Sequence, residues 1–207
     1  MESPPICVAF LWHFHQPEYA WPGQERRALP WARLHAVKDY SDMAAWVEAN
    51  PAVRVTFNWV PSLVQQILAY VEGRATDDLW EWSRRPAEAL SLEERAGFLA
   101  WAFRGHPEGI IHPLPRYREL YRRLGPEATE GERREAARSW SLQDFRDLQV
   151  CHLLGWTGEA LRRQHPLVRR LMSKQRGFTL EEHQALLEVH REVLRGLLPR
   201  YRRLAEE

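Results

Sequence analysis

Two histidines near the start of the chain have the spacing of neighbouring side chains on one face of a β-strand. They are His13 and His15, and Gln16 and Pro17 follow them directly. Because side chains alternate along a strand, both imidazoles would face the same way at its carboxyl end. α/β barrels and open α/β sheets place their chemistry at this end of their strands. A functional role is therefore our interpretation, and hydrogen-bonded packing in the core is the alternative.

The residues before this pair predict the strand that carries it. The run Ile6–Trp12 is unbroken and apolar, too short to span a membrane and rich in residues that strands favour. This composition is typical of a parallel-sheet strand that is buried on both faces. Pro17 ends the strand because it cannot donate to a ladder. The bulky apolar face, expected beneath an outer helix, consists of Val8, Phe10, Trp12 and Phe14.

The next segments alternate between the two kinds of element. A loop over Glu18–Arg27 leads to a helix over about Ser41–Glu48, and the alternation in Val53–Trp59 predicts a second strand. This second strand carries Asn58 near its carboxyl end. A further helix opens at Pro61 and closes at Gly73. The order strand, helix, strand, helix is typical of a parallel sheet.

Beyond Asp77 the sequence shows no convincing strand. Capping-box patterns begin helices at Ser91, Ser141 and Thr179, another helix is expected over Arg116–Leu124, and Pro199 should kink or interrupt the last helix. The predicted fold class is therefore α/β but mostly helical, with two parallel strands followed by a large α-helical insertion. We expect residues 1–75 to form two βα units and residues 76–207 to form the insertion. Since two strands cannot make an ordinary sheet core, we expect the sheet to continue beyond residue 207.

Composition narrows the class of function. The chain has 207 residues, with 29 Lys and Arg against 28 Asp and Glu, which argues against a general nucleic-acid or anionic-membrane surface. Cys7 and Cys151 are expected to be buried free thiols in a reducing compartment. With no secretion signal recognised at the amino terminus, we expect a cytoplasmic location. Ten Trp residues are many for this length, and Trp serves both as a core filler and as a platform for sugar rings.

The run His13–Pro17 resembles the first signature, H-Q-P, of glycoside hydrolase family 57. The resemblance continues in order along most of the chain, through the segments Leu29–Tyr40, Thr56–Leu63, Pro115–Leu120, Asp144–Gln149 and the last helix. That family contains α-amylases, 4-α-glucanotransferases, amylopullulanases and branching enzymes. The resemblance implies that this chain begins a (β/α)7 barrel with a helical insertion. It also implies retaining chemistry on α-glucosidic bonds, in which one carboxylate is the nucleophile and another the general acid/base.

The catalytic pair of the family lies in later signatures, which we do not find in this sequence. We therefore expect no catalytic residue here, and Asp39, Glu94 and Asp144 are not assigned that role; Glu94 and Asp144 are better explained as helix caps. The chain would instead supply part of the sugar site. The resemblance implies that His15 hydrogen-bonds the glucose next to the scissile bond, with His13 beside it, because a neutral imidazole both donates and accepts. The other candidates are Gln16, Trp31, His35 and Asn58.

The expected partner is an α-glucan or maltooligosaccharide, with no nucleic acid, membrane, cofactor or metal ion, and with self-association through the unfinished barrel edge. Two alternatives remain open. One is a truncated, non-catalytic remnant that binds glucan. The other is a metal-dependent amidohydrolase-like barrel, in which His13 and His15 would bind Zn²⁺, because such barrels also begin with H-x-H at the end of the first strand.

Overall fold

The structure, a computed structural model, describes residues 6–206. Helices predominate in this part of the chain, and its strands are few, short and parallel. The strands are β1 (Leu11–Phe14), β2 (Arg26–Arg27), β3 (Thr56–Trp59) and β4 (Thr76–Asp77). The helices are α1 (Trp31–His35), α2 (Ser41–Ala49), α3 (Pro61–Val71), α4 (Asp78–Arg84), α5 (Leu92–Ala102), α6 (Pro115–Leu124), α7 (Glu130–Ser139), α8 (Leu142–Gly155), α9 (Glu159–Gln164), α10 (Pro166–Lys174) and α11 (Leu180–Glu206). A π-helical turn, Ala36–Tyr40, joins α1 to α2.

The two predicted strands pair with each other in parallel, as β1 and β3. Their register places His13 opposite Asn58 and Phe14 opposite Trp59. Both strands are shorter than the sequence pattern predicted. A second parallel pair, β2 with β4, was not expected, since residues 18–27 were predicted to be a loop.

The prediction that the first strand is buried on both faces is wrong. Phe14 is 6 % exposed, whereas Phe10 is 60 % and Trp12 is 47 % exposed on the same face. Phe14 is buried because Tyr40 and Tyr201 pack against its ring, and this cover does not reach the earlier residues. Cys7 lies in the same uncovered run and is exposed, which corrects the expectation of two buried thiols; Cys151 is buried as predicted.

The helix starts follow the capping signals in the sequence. The side chain of Ser91 accepts a hydrogen bond from the backbone N–H of Glu94, and Ser141 does the same with Asp144. Thr179 accepts from Glu182 in the same way at 3.2 Å. The helix α7 was not predicted, although Thr129 and Glu132 form the same kind of capping box. Pro199 does not interrupt α11, which runs through it.

Two clusters of buried apolar side chains organise these elements. The strand core consists of Phe14, Ala32, Ala36, Val37, Tyr40, Ala44, Leu63, Ile67, Leu194, Leu197 and Tyr201. The helical core is larger, and its fully buried bulky members include Phe98, Leu99, Ile111, Tyr117, Leu120, Phe145, Leu148 and Phe178. The helix α11 contributes to both, with Leu186 and Leu187 in the helical core and Leu194 and Leu197 in the strand core.

Polar contacts between distant segments add to this packing. The guanidinium of Arg33 on α1 binds both carboxylate oxygens of Asp77 on β4, at 2.9 and 3.1 Å, and both residues are 1 % exposed. Asp42 on α2 accepts hydrogen bonds from the backbone N–H groups of Glu159 and Ala160 at the start of α9. Among the helices of residues 6–206, none combines the length and apolar character needed to cross a membrane.

Candidate sugar-binding site

The two histidines lie at and just beyond the carboxyl end of β1, as the strand pattern predicted. Their rings are parallel to within 9°, with centroids 5.7 Å apart. Both side chains are exposed, while Phe14 between them points the other way into the strand core. Burial of Phe14 thus fixes which way the imidazoles face. Asn58 is also exposed, and it stands opposite His13 in the register of the sheet.

Gln16 is held by two tyrosines. The hydroxyl of Tyr19 donates to Gln16 Oε1 at 2.6 Å, and Gln16 Nε2 donates to the hydroxyl of Tyr40 at 3.3 Å. Burial raises the pKa of Tyr40 above its ordinary value, and burial also raises the pKa of Tyr19. Both phenols therefore keep their protons at neutral pH and remain donors. This clamp fixes the side-chain amide of Gln16 directly after His15.

The loop after Gln16 is pinned from α3. Gln66, which is fully buried, donates through Nε2 to the carbonyl of Pro17 at 2.9 Å and accepts from the backbone N–H of Tyr19 at 3.3 Å. Ser62 Oγ donates to the Gln16 carbonyl at 3.0 Å. Sequence reasoning missed Tyr19 and Gln66. The one available signal was an amide on the apolar side of a helix, which usually has a specific hydrogen-bonding role.

His35 lies at the end of α1, beside a carboxylate. Its Nδ1 is 2.5 Å from Oδ2 of Asp39, and the ammonium of Lys38 donates to Oδ1 of Asp39 at 2.9 Å. Burial raises the pKa of Asp39, but the hydrogen bonds from His35 and Lys38 and the charge of Lys38 outweigh it, so the pKa lies below its ordinary value. Asp39 is therefore an ionised acceptor at neutral pH.

Trp31 belongs to an aromatic cluster next to His35. Its ring centroid is 6.2 Å from those of His35 and Trp101 and 5.9 Å from that of Trp156. Trp31 is half-buried against the helical core. The indole therefore packs among other rings, and its role as a platform for a sugar stays a prediction.

The structure brings the six predicted residues into two connected groups. His13, His15 and Asn58 meet at the ends of β1 and β3. Gln16 follows His15 in the chain and contacts Tyr40, whose ring lies 6.4 Å from that of His35, which in turn neighbours Trp31. Tyr40 thus connects Gln16, which directly follows the histidine pair, to His35 and Trp31.

The carboxylates of Glu94 and Asp144 have structural partners. Glu94 accepts from the Ser91 backbone N–H and pairs with Arg85, whose hydrogen bond lowers the pKa of Glu94. Asp144 accepts from the Ser141 backbone N–H and pairs with Arg116. Both side chains hold helix starts, as the sequence pattern predicted. Within residues 6–206, no group of three or more His, Cys, Asp and Glu side chains is arranged to hold a metal ion.

Comparison with models of known protein families identifies a family for this chain. The family model described as glycosyl hydrolase family 57 matches residues 9–207, which is nearly the whole chain and includes the histidine pair, Gln16 and Asn58. No curated protein and no solved structure matches the chain. A match of this extent, together with the ordered series of similar segments, identifies the family. The chain belongs to glycosyl hydrolase family 57.

Proposed function

We propose that this chain supplies the sugar-binding side of a retaining glycoside hydrolase or transglycosylase that acts on α-glucans. The observation that carries the proposal is the exposed, parallel pair His13 and His15 beside Asn58 and Gln16. Family membership makes a carbohydrate the substrate class.

The chemistry of these groups suits the hydroxyls of a glucose ring. A neutral imidazole offers one donor and one acceptor, and a side-chain amide offers both on one plane. His15, Gln16 and Asn58 would together satisfy several hydroxyls. Because the clamp from Tyr19 and Tyr40 already orders Gln16, little side-chain entropy would be lost when sugar binds.

We further propose that the reacting carboxylates are not among the described residues. A retaining mechanism needs two carboxyl groups about 5 Å apart that face the bond to be broken. The carboxylates discussed above are instead engaged: Asp39 by His35 and Lys38, Glu94 by Ser91 and Arg85, and Asp144 by Ser141 and Arg116.

The decisive experiment measures binding of maltoheptaose to the chain by calorimetry. His15→Ala should weaken binding about tenfold or more, because a site built to hydrogen-bond a hydroxyl is left unpaired. His112→Ala is the matched control, since His112 lies at the end of a π-helical turn beside Glu108, and it should bind like the wild type. An enzyme containing this chain should lose activity by a similar factor, and His15→Ala activity within twofold of wild type would contradict the assignment.

A glucan-binding role without catalysis rests on the same side chains. Both roles place the reacting carboxylates outside the described residues, and an assay for new reducing ends after incubation of the chain with amylose tests this placement. Cleavage by the chain would contradict our placement of the reacting carboxylates. Binding without cleavage agrees with it.

The exposed apolar run Ile6–Trp12 supports a further proposal, that copies of the chain associate through this edge. Ile6 is 91 %, Val8 73 % and Leu11 63 % exposed, and contiguous exposed apolar surface on an edge strand promotes association. Sedimentation should show a concentration-dependent oligomer that Val8→Lys reduces. A monomer at all concentrations would contradict this proposal.

A further inference from the structure

A hydrogen-bonded pair of side chains, His35 and Asp39, lies next to the proposed sugar site. The two residues are one helical turn apart. His35 ends α1, and Asp39 lies in the π-helical turn Ala36–Tyr40 that follows. Their Nδ1 and Oδ2 atoms are 2.5 Å apart, and Lys38 occupies the other carboxylate oxygen. Single π-helical turns inside longer helices occur frequently at functional sites.

The carboxylate determines where the proton of His35 resides. An ionised carboxylate can only accept hydrogen bonds, and the pKa of Asp39 lies below its ordinary value. The hydrogen on the short contact must therefore belong to Nδ1. In the neutral imidazole this leaves Nε2 without a proton, as an acceptor.

Aromatic neighbours fix the plane of the His35 ring. The indole of Trp156 meets it edge-on, at 90° and 5.6 Å between centroids, and Tyr40 lies 6.4 Å away. The His35 side chain is nevertheless 34 % exposed. Hydrogen bonds within residues 6–206 engage Nδ1 of His35 but not Nε2. The ring is thus held firmly while one nitrogen stays available.

We propose that Asp39 is a positioning residue that holds His35 as the Nδ1–H tautomer, so that Nε2 accepts a hydrogen bond from a sugar hydroxyl. This inference rests on the proposed sugar-binding function and extends it to a residue that does not itself touch the sugar. Asp39 acts through His35, while Lys38 keeps the carboxylate charged. The ring of Tyr40 lies 6.4 Å from that of His35, and the Tyr40 hydroxyl accepts a hydrogen bond from Gln16, which directly follows His15.

The test combines a spectroscopic readout with a binding measurement on the full chain. The ¹⁵N shifts of the His35 ring should identify the Nδ1–H tautomer at pH 7.5 in the wild type. In Asp39→Asn the neutral amide no longer requires a proton on Nδ1, so the shifts should move towards the other tautomer. Affinity for maltoheptaose should fall about three- to tenfold, the worth of one hydrogen bond.

Glu108→Gln is the matched control. Glu108 lies 3.0 Å from Nδ1 of His112, also four residues apart, so it changes an equivalent pair outside the site. This variant should bind maltoheptaose like the wild type. A thermal unfolding curve for each variant establishes that it is folded.

The variant His35→Ala separates positioning from direct contact. If Asp39 acts through His35, Asp39→Asn should have no further effect on affinity in the His35→Ala background. An equal loss in both backgrounds would overturn the inference, as would an unchanged tautomer or an unchanged affinity in Asp39→Asn while the wild type binds. Failure of the wild type to bind any maltoheptaose would instead overturn the proposed function, and with it the sugar-accepting role of Nε2.

Discussion

The helical core and the strand pair β1/β3 contain similar apolar residues but differ in how far other elements close around them. Phe98, Phe145 and Phe178 of the helical core are at most 1 % exposed. In β1 and the residues before it, Phe14 is 6 % exposed and Phe10 is 60 % exposed. The two residues are four positions apart, so the alternation of side chains along a strand predicts that both lie on one face. The difference is made by the π-helical turn and α11, which supply Tyr40 and Tyr201 over Phe14.

Polar groups show the same contrast. In the helical region Asp147 is 2 % exposed, and it accepts from Arg116, Gln143 and the backbone of Gly177 and Phe178. At the end of β1 the polar side chains of His13 and His15 are exposed. Packing thus stops where the proposed site begins, which leaves imidazole nitrogens for a ligand.

The strongest test of this contrast substitutes one Phe on each side of it. Phe98→Ala should lower the free energy of unfolding by about 3–5 kcal/mol, because it leaves a cavity in a closed core. Phe10→Ala should change it by about 0.5 kcal/mol or less, because its ring is largely in solvent already. Denaturant unfolding of both variants measures the difference. Similar losses would mean that residues 6–10 are covered in solution.

A second test removes the buried ion pair of Arg33 and Asp77, which joins α1 to β4. Asp77→Ala leaves the Arg33 charge buried and unpaired, and it also removes the acceptor for the Tyr70 hydroxyl and the Trp80 backbone N–H. The free energy of unfolding should therefore fall by about 3–5 kcal/mol.

Its neighbour Asp78 provides the control for that substitution. Asp78 pairs with Arg26, and both side chains are about half exposed. Solvent screens such pairs, so Asp78→Ala should cost about 1 kcal/mol or less. Equal losses of unfolding free energy in Asp77→Ala and Asp78→Ala would show that burial does not determine how much an ion pair contributes to the stability of this protein.

Local signals in the sequence predicted more of this molecule than distant ones could. Ser91, Ser141 and Thr179 predict helix starts because the capping partner is three residues away, and Thr129 shows that the same signature was overlooked once. His13, His15 and Asn58 follow from strand alternation alone. Gln66, which binds the carbonyl of Pro17, is 49 residues further along the chain, and Phe14 is covered by Tyr201 on the last helix. No local sequence pattern predicts either contact.

Acid should destabilise the helical side through two buried histidines. Burial lowers the pKa of His152 to about 4 and that of His190 to about 3, and the nearby charge of Arg33 adds to both effects. An unfolded chain takes up these protons near pH 6.5, so below that pH the unfolded state binds more protons. The free energy of unfolding should therefore fall as the pH drops from 6.5 to 4.5, by on the order of 4 kcal/mol, with about half of it from each histidine.

Unfolding at a series of pH values measures this slope. His190→Gln retains a hydrogen-bonding group next to Thr157 Oγ1, which lies 3.0 Å from His190 Nε2, and removes one titration. Its slope between pH 6.5 and 4.5 should be shallower than that of the wild type. Identical slopes would show that His190 is not buried as a neutral ring.

The smallest expected effect tests how the strand side is fastened to the helical side. Asp42 on α2 accepts from the backbone N–H groups of Glu159 and Ala160 at 2.6 and 2.9 Å, which caps α9 from a distant segment. Asp42→Ala should cost about 1 kcal/mol, as the loss of a helix cap usually does. Hydrogen exchange should quicken in both α2 and α9, because the bond joins them.

Thr129→Ala removes a cap of similar strength that acts only within its own helix. Its side chain accepts from the backbone N–H of Glu132 at 3.3 Å, so faster exchange should stay in α7. If Asp42→Ala also affected only one helix, the hydrogen bonds of Asp42 would not couple α2 to α9. Faster exchange in both α2 and α9 would show that a single carboxylate couples two helices that are more than 100 residues apart in the chain.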